Sequence, residues 1–173
     1  MRIREDDVKK AVFIAKKNMA GLVYNFQAME GMPFTLPEVQ TYLQGITVGG
    51  HKVSDEEKLK QQAVGWKRLV EVVERGEFKL TKKLTCELES LVAKDEALEA
   101  GVFRSGPVWI TGHEYTPPDY TLLDYKFEAL GARAEATNNV MERGFIVSLD
   151  FTRNQYFYDG NKRTGLLMMN GIS

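Results

Sequence analysis

FYDGNKRTG, residues Phe157 to Gly165, places a glycine turn between two stretches of helical periodicity. A turn in that position aims the unpaired amides of the following helix outward, and those amides with the positive end of the helix dipole bind phosphate. Gly160 permits the tight turn and the close approach of a ligand. Lys162 and Arg163 add positive charge, and Arg163 carries a planar fork that can grip two phosphate oxygens. Asp159 beside a polyphosphate suits Mg2+, a hard cation that takes one or two carboxylates and fills its shell with phosphate oxygens. Asn161 either fixes the loop or donates to a phosphate. The competing reading is an ordinary Asp-Gly-Asn turn before a solvated helix start, the commoner meaning of that tripeptide alone. The full nonapeptide favours the phosphate loop.

Working outward from the loop, Phe145 to about Gln155 reads as the helix that enters it, and Tyr120 to Glu142 as another with Leu122, Leu123, Phe127 and Leu130 buried. Between residues 102 and 117, Val108, Trp109, Ile110 and Tyr115 flank Thr111-Gly112 and Pro117-Pro118 closes the run, which predicts one short β-hairpin. Leu84, Leu88, Leu91, Val92 and Leu98 mark a further helix. Ser54 with Glu57 is a capping-box pair, ahead of a helix whose face is Leu59, Ala63, Trp66, Leu69, Val70 and Val73 and which Gly76 stops. The segment GITVGG before it is a loop, and Thr35 with Glu38 caps a helix running to about Leu43. Val8, Ala11, Val12, Ala15, Met19, Leu22, Val23 and Phe26 trace one face of a long first helix that Gly31 and Pro33 end. The expected fold is all-α with a single hairpin.

A chain of 173 residues, 43% hydrophobic and 27% charged, is expected to bury a core as one domain over 1–173. A net charge of −1 lacks the basic excess that would point to nucleic acid or an acidic membrane as partner. Cys86 is the single cysteine, so no intrachain disulfide forms. The charged start MRIREDDVKK is unlike a signal peptide and no apolar run spans a bilayer, so the expected location is the cytoplasm.

FYDGNKRTG resembles the signature of the Fic (filamentation induced by cAMP) family, His-x-Phe-x-Asp/Glu-Gly-Asn-Gly/Lys-Arg with a further Arg beyond two intervening residues. Phe157, Asp159, Gly160, Asn161, Lys162 and Arg163 fall in register, and Lys162 at the second-glycine position is similar to the branch that includes the Doc toxins. MEGMPFTLPEVQTYLQGITVGG is similar to the family's Glu-Gly turn and next helix, within residues 1–50, and ALEAGVFRSGPVWITGHEYTPP to its flap, over residues 101–118. The motif helices fall at 145–173. The resemblance implies transfer of AMP from ATP to a hydroxyl of a target protein, with Asp159 on Mg2+, Asn161 and Arg163 on the phosphates and Phe157 as core anchor. The flap from Val108 and Trp109 through Ile110 and Thr111 would register the target segment by strand addition. An antitoxin or regulatory protein is a further partner implied by the resemblance, as is a role in bacterial cell filamentation and division.

The chain departs from that pattern at Gln155, which stands where the family has its catalytic histidine. A glutamine amide cannot accept the target's hydroxyl proton near neutral pH, whereas imidazole can. His51 and His113 are the only histidines, and each reads as a surface residue before a relocated base. Leu166 replaces the last arginine, as in Doc-like relatives, where the nucleotide lies the other way round and phosphate is transferred. Glu30-Gly31 matches the end of the family's inhibitory helix, although Phe26 holds its Ser/Thr position, which leaves Glu30 as a regulatory candidate or a plain helix end. The resemblance implies a motif helix continuing past Ser173, and a chain stopping there would leave Leu166, Leu167, Met168 and Ile172 to be buried by self-association. Three classes of function stand open: a protein-modifying transferase, a catalytically silent nucleotide- or partner-binding regulator, and a helical interaction protein that binds no nucleotide.

Overall fold

The computed structural model describes residues 4–112 and 114–172. It divides into two compact units, residues 2–77 and residues 78–173 together with Met1. The described residues form helices joined by turns and loops and contain no strand.

In the first unit α1 is Glu5–Lys17, α2 is Met19–Met29, α3 is Leu36–Leu43 and α4 is Val53–Glu74. The expected single first helix is two, because Asn18 leaves helical geometry at φ −102, ψ 18. Its side chain folds back over Gly21, where an added Cβ would meet Asn18 Oδ1 at 2.4 Å. A short polar side chain that competes for the local backbone breaks a helix without interrupting its apolar stripe. Val12, Val23, Phe26, Leu59, Ala63, Trp66 and Leu69 are buried, with Phe26 edge-on to Trp66 at 5.2 Å. Gln27 donates to Phe34 O at 2.8 Å and so closes the turn after α2, where Gly31 takes φ +68.

Thr35 and Glu38 form the expected capping box, the Glu38 carboxylate accepting from both Thr35 N and Thr35 Oγ1 at 2.7 Å. Those bonds, with a third from His51, hold the Glu38 carboxyl down at about 2. Ser54 and Glu57 do not repeat the device. The helix begins two residues early, at Val53 with Lys52 as cap, so Ser54 lies inside the first turn where its hydroxyl cannot cap.

In the second unit α5 is Lys82–Val92, α6 is Leu123–Ala136, α7 is Val140–Asn154 and α8 is Asn161–Ile172, with a 3-10 turn at Tyr120–Leu122. α8 packs along α7 and against α5, and α6 covers α7. The core is aromatic: Phe103, Phe127, Phe151, Tyr156 and Phe157 meet at ring separations of 5.0 to 6.3 Å. The expected helix from Tyr120 to Glu142 instead stops at Ala136, because Asn139 starts α7 afresh by accepting from Glu142 N at 3.1 Å. Leu123, Phe127 and Leu130 are buried as expected, but Leu122 is exposed in the 3-10 turn. α5 ends before Leu98, which is exposed.

The expected β-hairpin over 102–117 does not form among the described residues. Pro107, Pro117 and Pro118 bring no amides to a ladder. The carbonyls of Gly106 and Pro118 bond instead to the Arg104 guanidinium, at 2.7 and 2.5 Å. Gly112 at φ +80 does supply the expected reversal. His113 lies outside the described residues. No helix among those described is long and apolar enough to cross a membrane.

Thr35→Ala is expected to lower stability by about 1 kcal/mol through loss of the capping box, measured by urea unfolding followed by circular dichroism. An unchanged midpoint would show that α3 does not need its cap.

Candidate functional site

The turn between α7 and α8 begins at Gln155, which has φ 49 and ψ 66, the single left-handed residue other than glycine among those described. Its side chain is engaged at both ends. Gln155 Nε2 donates to Thr152 O at 2.7 Å, and Gln155 Oε1 accepts from Asn161 Nδ2 at 3.0 Å. Asn161 also donates to Phe157 O at 2.8 Å and accepts from Phe157 N at 2.9 Å. Of the two roles open to Asn161, the geometry is that of fixing the loop: one carboxamide ties both ends of the turn together. Phe157 is fully buried, the core anchor expected of it.

Gly160 has φ +73, and a Cβ there would stand 2.6 Å from Ala93 Cβ. The tight turn is therefore as expected, while the close approach is made by Ala93. After Gly160 the chain enters α8, whose first amides have no acceptor within the helix. Asp159 keeps 52% of its side chain exposed beside them, with Oδ1 accepting from Gly160 N at 2.6 Å. Lys162 is exposed on the first turn.

Arg163 is placed differently from Lys162. Its side chain is 3% exposed and donates to Val92 O at 2.5 Å and Glu96 Oε1 at 2.6 Å, with Asp159 Oδ1 at 3.3 Å. In this geometry the guanidinium joins the loop to the end of α5, and gripping a phosphate would require it to exchange carboxylate partners.

Three residues of the site were not singled out from the sequence: Glu96, Arg104 and Glu89. Glu89 is fully buried on α5, accepts from Gly101 N at 2.5 Å, and has no hydrogen-bond partner on Oε1 among the described residues, an atom that would lie 3.8 Å from a Cβ at Gly160. Burial pushes its carboxyl up to about 7, against the pull of the Gly101 amide and of Arg163. The available signal was a charge inside the apolar spacing Leu84, Leu88, Val92. Arg104 follows no periodicity and had no signal at all.

Of the remaining candidates, Val108 and Ile110 are half-buried and Trp109 and Thr111 exposed in the 106–118 segment. In the first unit Glu30 is the exposed C-cap of α2, and His51 stacks on Phe34 at 4.1 Å and bonds to Glu38 at 3.1 Å. His51 is thus occupied in holding the α3 cap.

Gly160→Ala is expected to destabilise by roughly 2–5 kcal/mol, from left-handed strain plus the contact with Ala93. Adding Ala93→Gly removes the contact but not the strain, so urea unfolding of the double variant should recover only part of the loss. The native state holds the Glu89 proton to about 7 and the unfolded chain releases it near 4.5, so stability falls as pH rises across that window. The fall is on the order of 3 kcal/mol, and Glu89→Gln should flatten it in urea midpoints measured from pH 4.5 to 8.

The family model described as Fic/DOC matches residues 79–172. Among solved structures the chain is similar to a Fic family protein from Desulfovibrio desulfuricans G20, with a TM-score of 0.73 at 19% identity, over 99% of this chain and 58% of that one. It is also similar to a Fic domain containing signaling protein from Bacteroides thetaiotaomicron VPI-5482, with a TM-score of 0.76 at 21% identity, over 99% and 67%. A third, Fic-1 (residues 134–508) from C. elegans, gives a TM-score of 0.75 at 18% identity over 88% and 47%. At these identities the likeness is one of fold, and the chain spans 58% of the length of the first. No curated protein matches it. With the family model covering more than half of the chain and carrying the whole of the turn and α8, the chain belongs to the Fic/DOC family.

Proposed function

We propose that the chain binds ATP with Mg2+ at the first turn of α8, as a Fic-family protein for AMP transfer to a protein hydroxyl whose turnover is limited at Gln155. The observation that carries this reading is the start of α8: first-turn amides that have no acceptor within the helix, Gly160 in the turn and a half-exposed Asp159 beside them. The donor set fits the cofactor. Asp159 is a half-exposed carboxylate beside the start of α8, a hard oxygen donor of the kind Mg2+ takes once or twice before phosphate oxygens and water complete its shell. Asp159 would hold Mg2+, and Gly160, Asn161 and Lys162 would present amides and charge to the phosphates. The stretch from Val108 to Thr111, with Trp109 and Thr111 exposed, offers the surface for the target protein.

In AMP transfer the target's hydroxyl oxygen bonds to the α-phosphorus, the bond to pyrophosphate breaks, and the hydroxyl proton must leave. Gln155 cannot take that proton, and its carboxamide is already held between Thr152 and Asn161. Loss of a general base costs on the order of 10²–10⁴-fold in rate. The same two bonds favour a second reading, a binding protein without turnover. Doc-like transfer of phosphate rests on Lys162 and Leu166.

Millimolar ATP with Mg2+ is expected to raise the melting temperature of the protein, and no shift would sink both readings. With a cell lysate, label from the α-phosphate on protein indicates AMP transfer, label from the γ-phosphate indicates phosphate transfer, and none indicates silent binding. Gln155→His, a residue that tolerates left-handed backbone, should raise labelling by roughly 10²–10⁴-fold if the missing base is the main defect.

A further inference from the structure

Arg104 is 3% exposed and its guanidinium is ringed by backbone carbonyls. Nε donates to Gln155 O at 2.6 Å, Nη1 to Gly106 O at 2.7 Å, and Nη2 to Pro118 O at 2.5 Å, with Asn154 O at 3.5 Å. Its own amide donates to Tyr156 O at 2.9 Å. Beside it, Phe103 packs its ring against Phe127, Tyr156 and Phe157. The carbonyls of Asn154 and its C-cap Gln155 belong to the end of α7, where a helix leaves its acceptors without internal partners, and that of Tyr156 belongs to the turn beyond. Gly106 and Pro118 are the two ends of the segment that carries Trp109. One buried side chain therefore closes the base of that segment and also caps the helix that enters the phosphate loop.

Charge-assisted bonds to carbonyls are strong, and losing the donor would leave several buried acceptors without a partner. Lysine keeps the charge but places its donors about one nitrogen and cannot span the same carbonyls. We infer that Arg104 is a positioning residue that locks the 106–118 segment and the turn at 155–160 into one unit, so that neither opens without the other. The inference goes beyond nucleotide binding and does not depend on it.

Two readouts without ligand test it: chymotryptic cleavage after Trp109, followed by mass spectrometry, and hydrogen exchange at the amides of Gln155 and Phe157. In Arg104→Lys both should quicken, each by roughly tenfold, while exchange inside α6 stays within twofold. Tyr158→Phe serves as control. It removes a hydrogen bond at the foot of that segment, Ser105 Oγ to Tyr158 OH at 3.3 Å, and should change neither readout more than twofold. A change in one readout alone, no change in either, or an equal response to Tyr158→Phe would overturn the inference. If Arg104→Lys does not fold, the parent chain decides: below the unfolding midpoint, cleavage and exchange should rise with urea along one common curve, and separate curves would overturn it.

Discussion

Two helices that approach so closely that a Cβ at Gly165 would stand 2.8 Å from Phe151 Cβ must be joined by a short turn, and much of residues 78–172 depends on closing it. The chain reverses between Asn154 and Asn161. Gln155 turns left-handed, Tyr156 and Phe157 drop into the aromatic core, and the Asn161 carboxamide returns to bond both strands of the turn. Gly160 then lets the chain pass against Ala93 on its way into α8. Each of these residues is fixed by its neighbours, so the direction in which the first amides of α8 face is set by packing and not by a ligand.

That arrangement gives the side chain at position 155 a structural task. At 155 the side chain bridges the last turn of α7 and the first residue of α8, a task a carboxamide does well because it both donates and accepts. Arg163 has likewise been drawn into structure, between the Val92 carbonyl and Glu96. Buried Arg163 pairs with Glu96 on the underside of the loop, where Glu89 is also buried and burial makes it hold its proton up to about 7. The outer side of the loop keeps Asp159 and Lys162 toward solvent.

The helices were legible because an apolar face repeating every three to four residues leaves few alternatives, and the Thr35–Glu38 box was legible because both partners lie within one turn. What failed was local punctuation. Asn18 and Asn139 break helices whose apolar spacing runs straight through them, and Ser54 offered a cap that a start at Val53 left unused. Alternation around Thr111-Gly112 has the pattern of a hairpin, but the flanking prolines withhold amides that a ladder needs. The backbone there is tied down by Arg104, an interaction across some fifty positions of sequence that no local pattern carries. The apolar ring of Phe157 and the freedom of Gly160 are local properties visible in the sequence, whereas Arg163 is buried through partners 67 and 71 positions away, Glu96 and the Val92 carbonyl.

The two tryptophans occupy opposite environments: Trp66 is 4% exposed, edge-on to Phe26, and Trp109 is 79% exposed. They also belong to different units. Indole emission shifts to the red with the polarity of its surroundings, so the chain carries two intrinsic optical reporters, a blue one inside residues 2–77 and a red one on residues 78–173. An aqueous quencher such as iodide would dim the second and spare the first, which lets events in each unit be followed separately without attaching a dye.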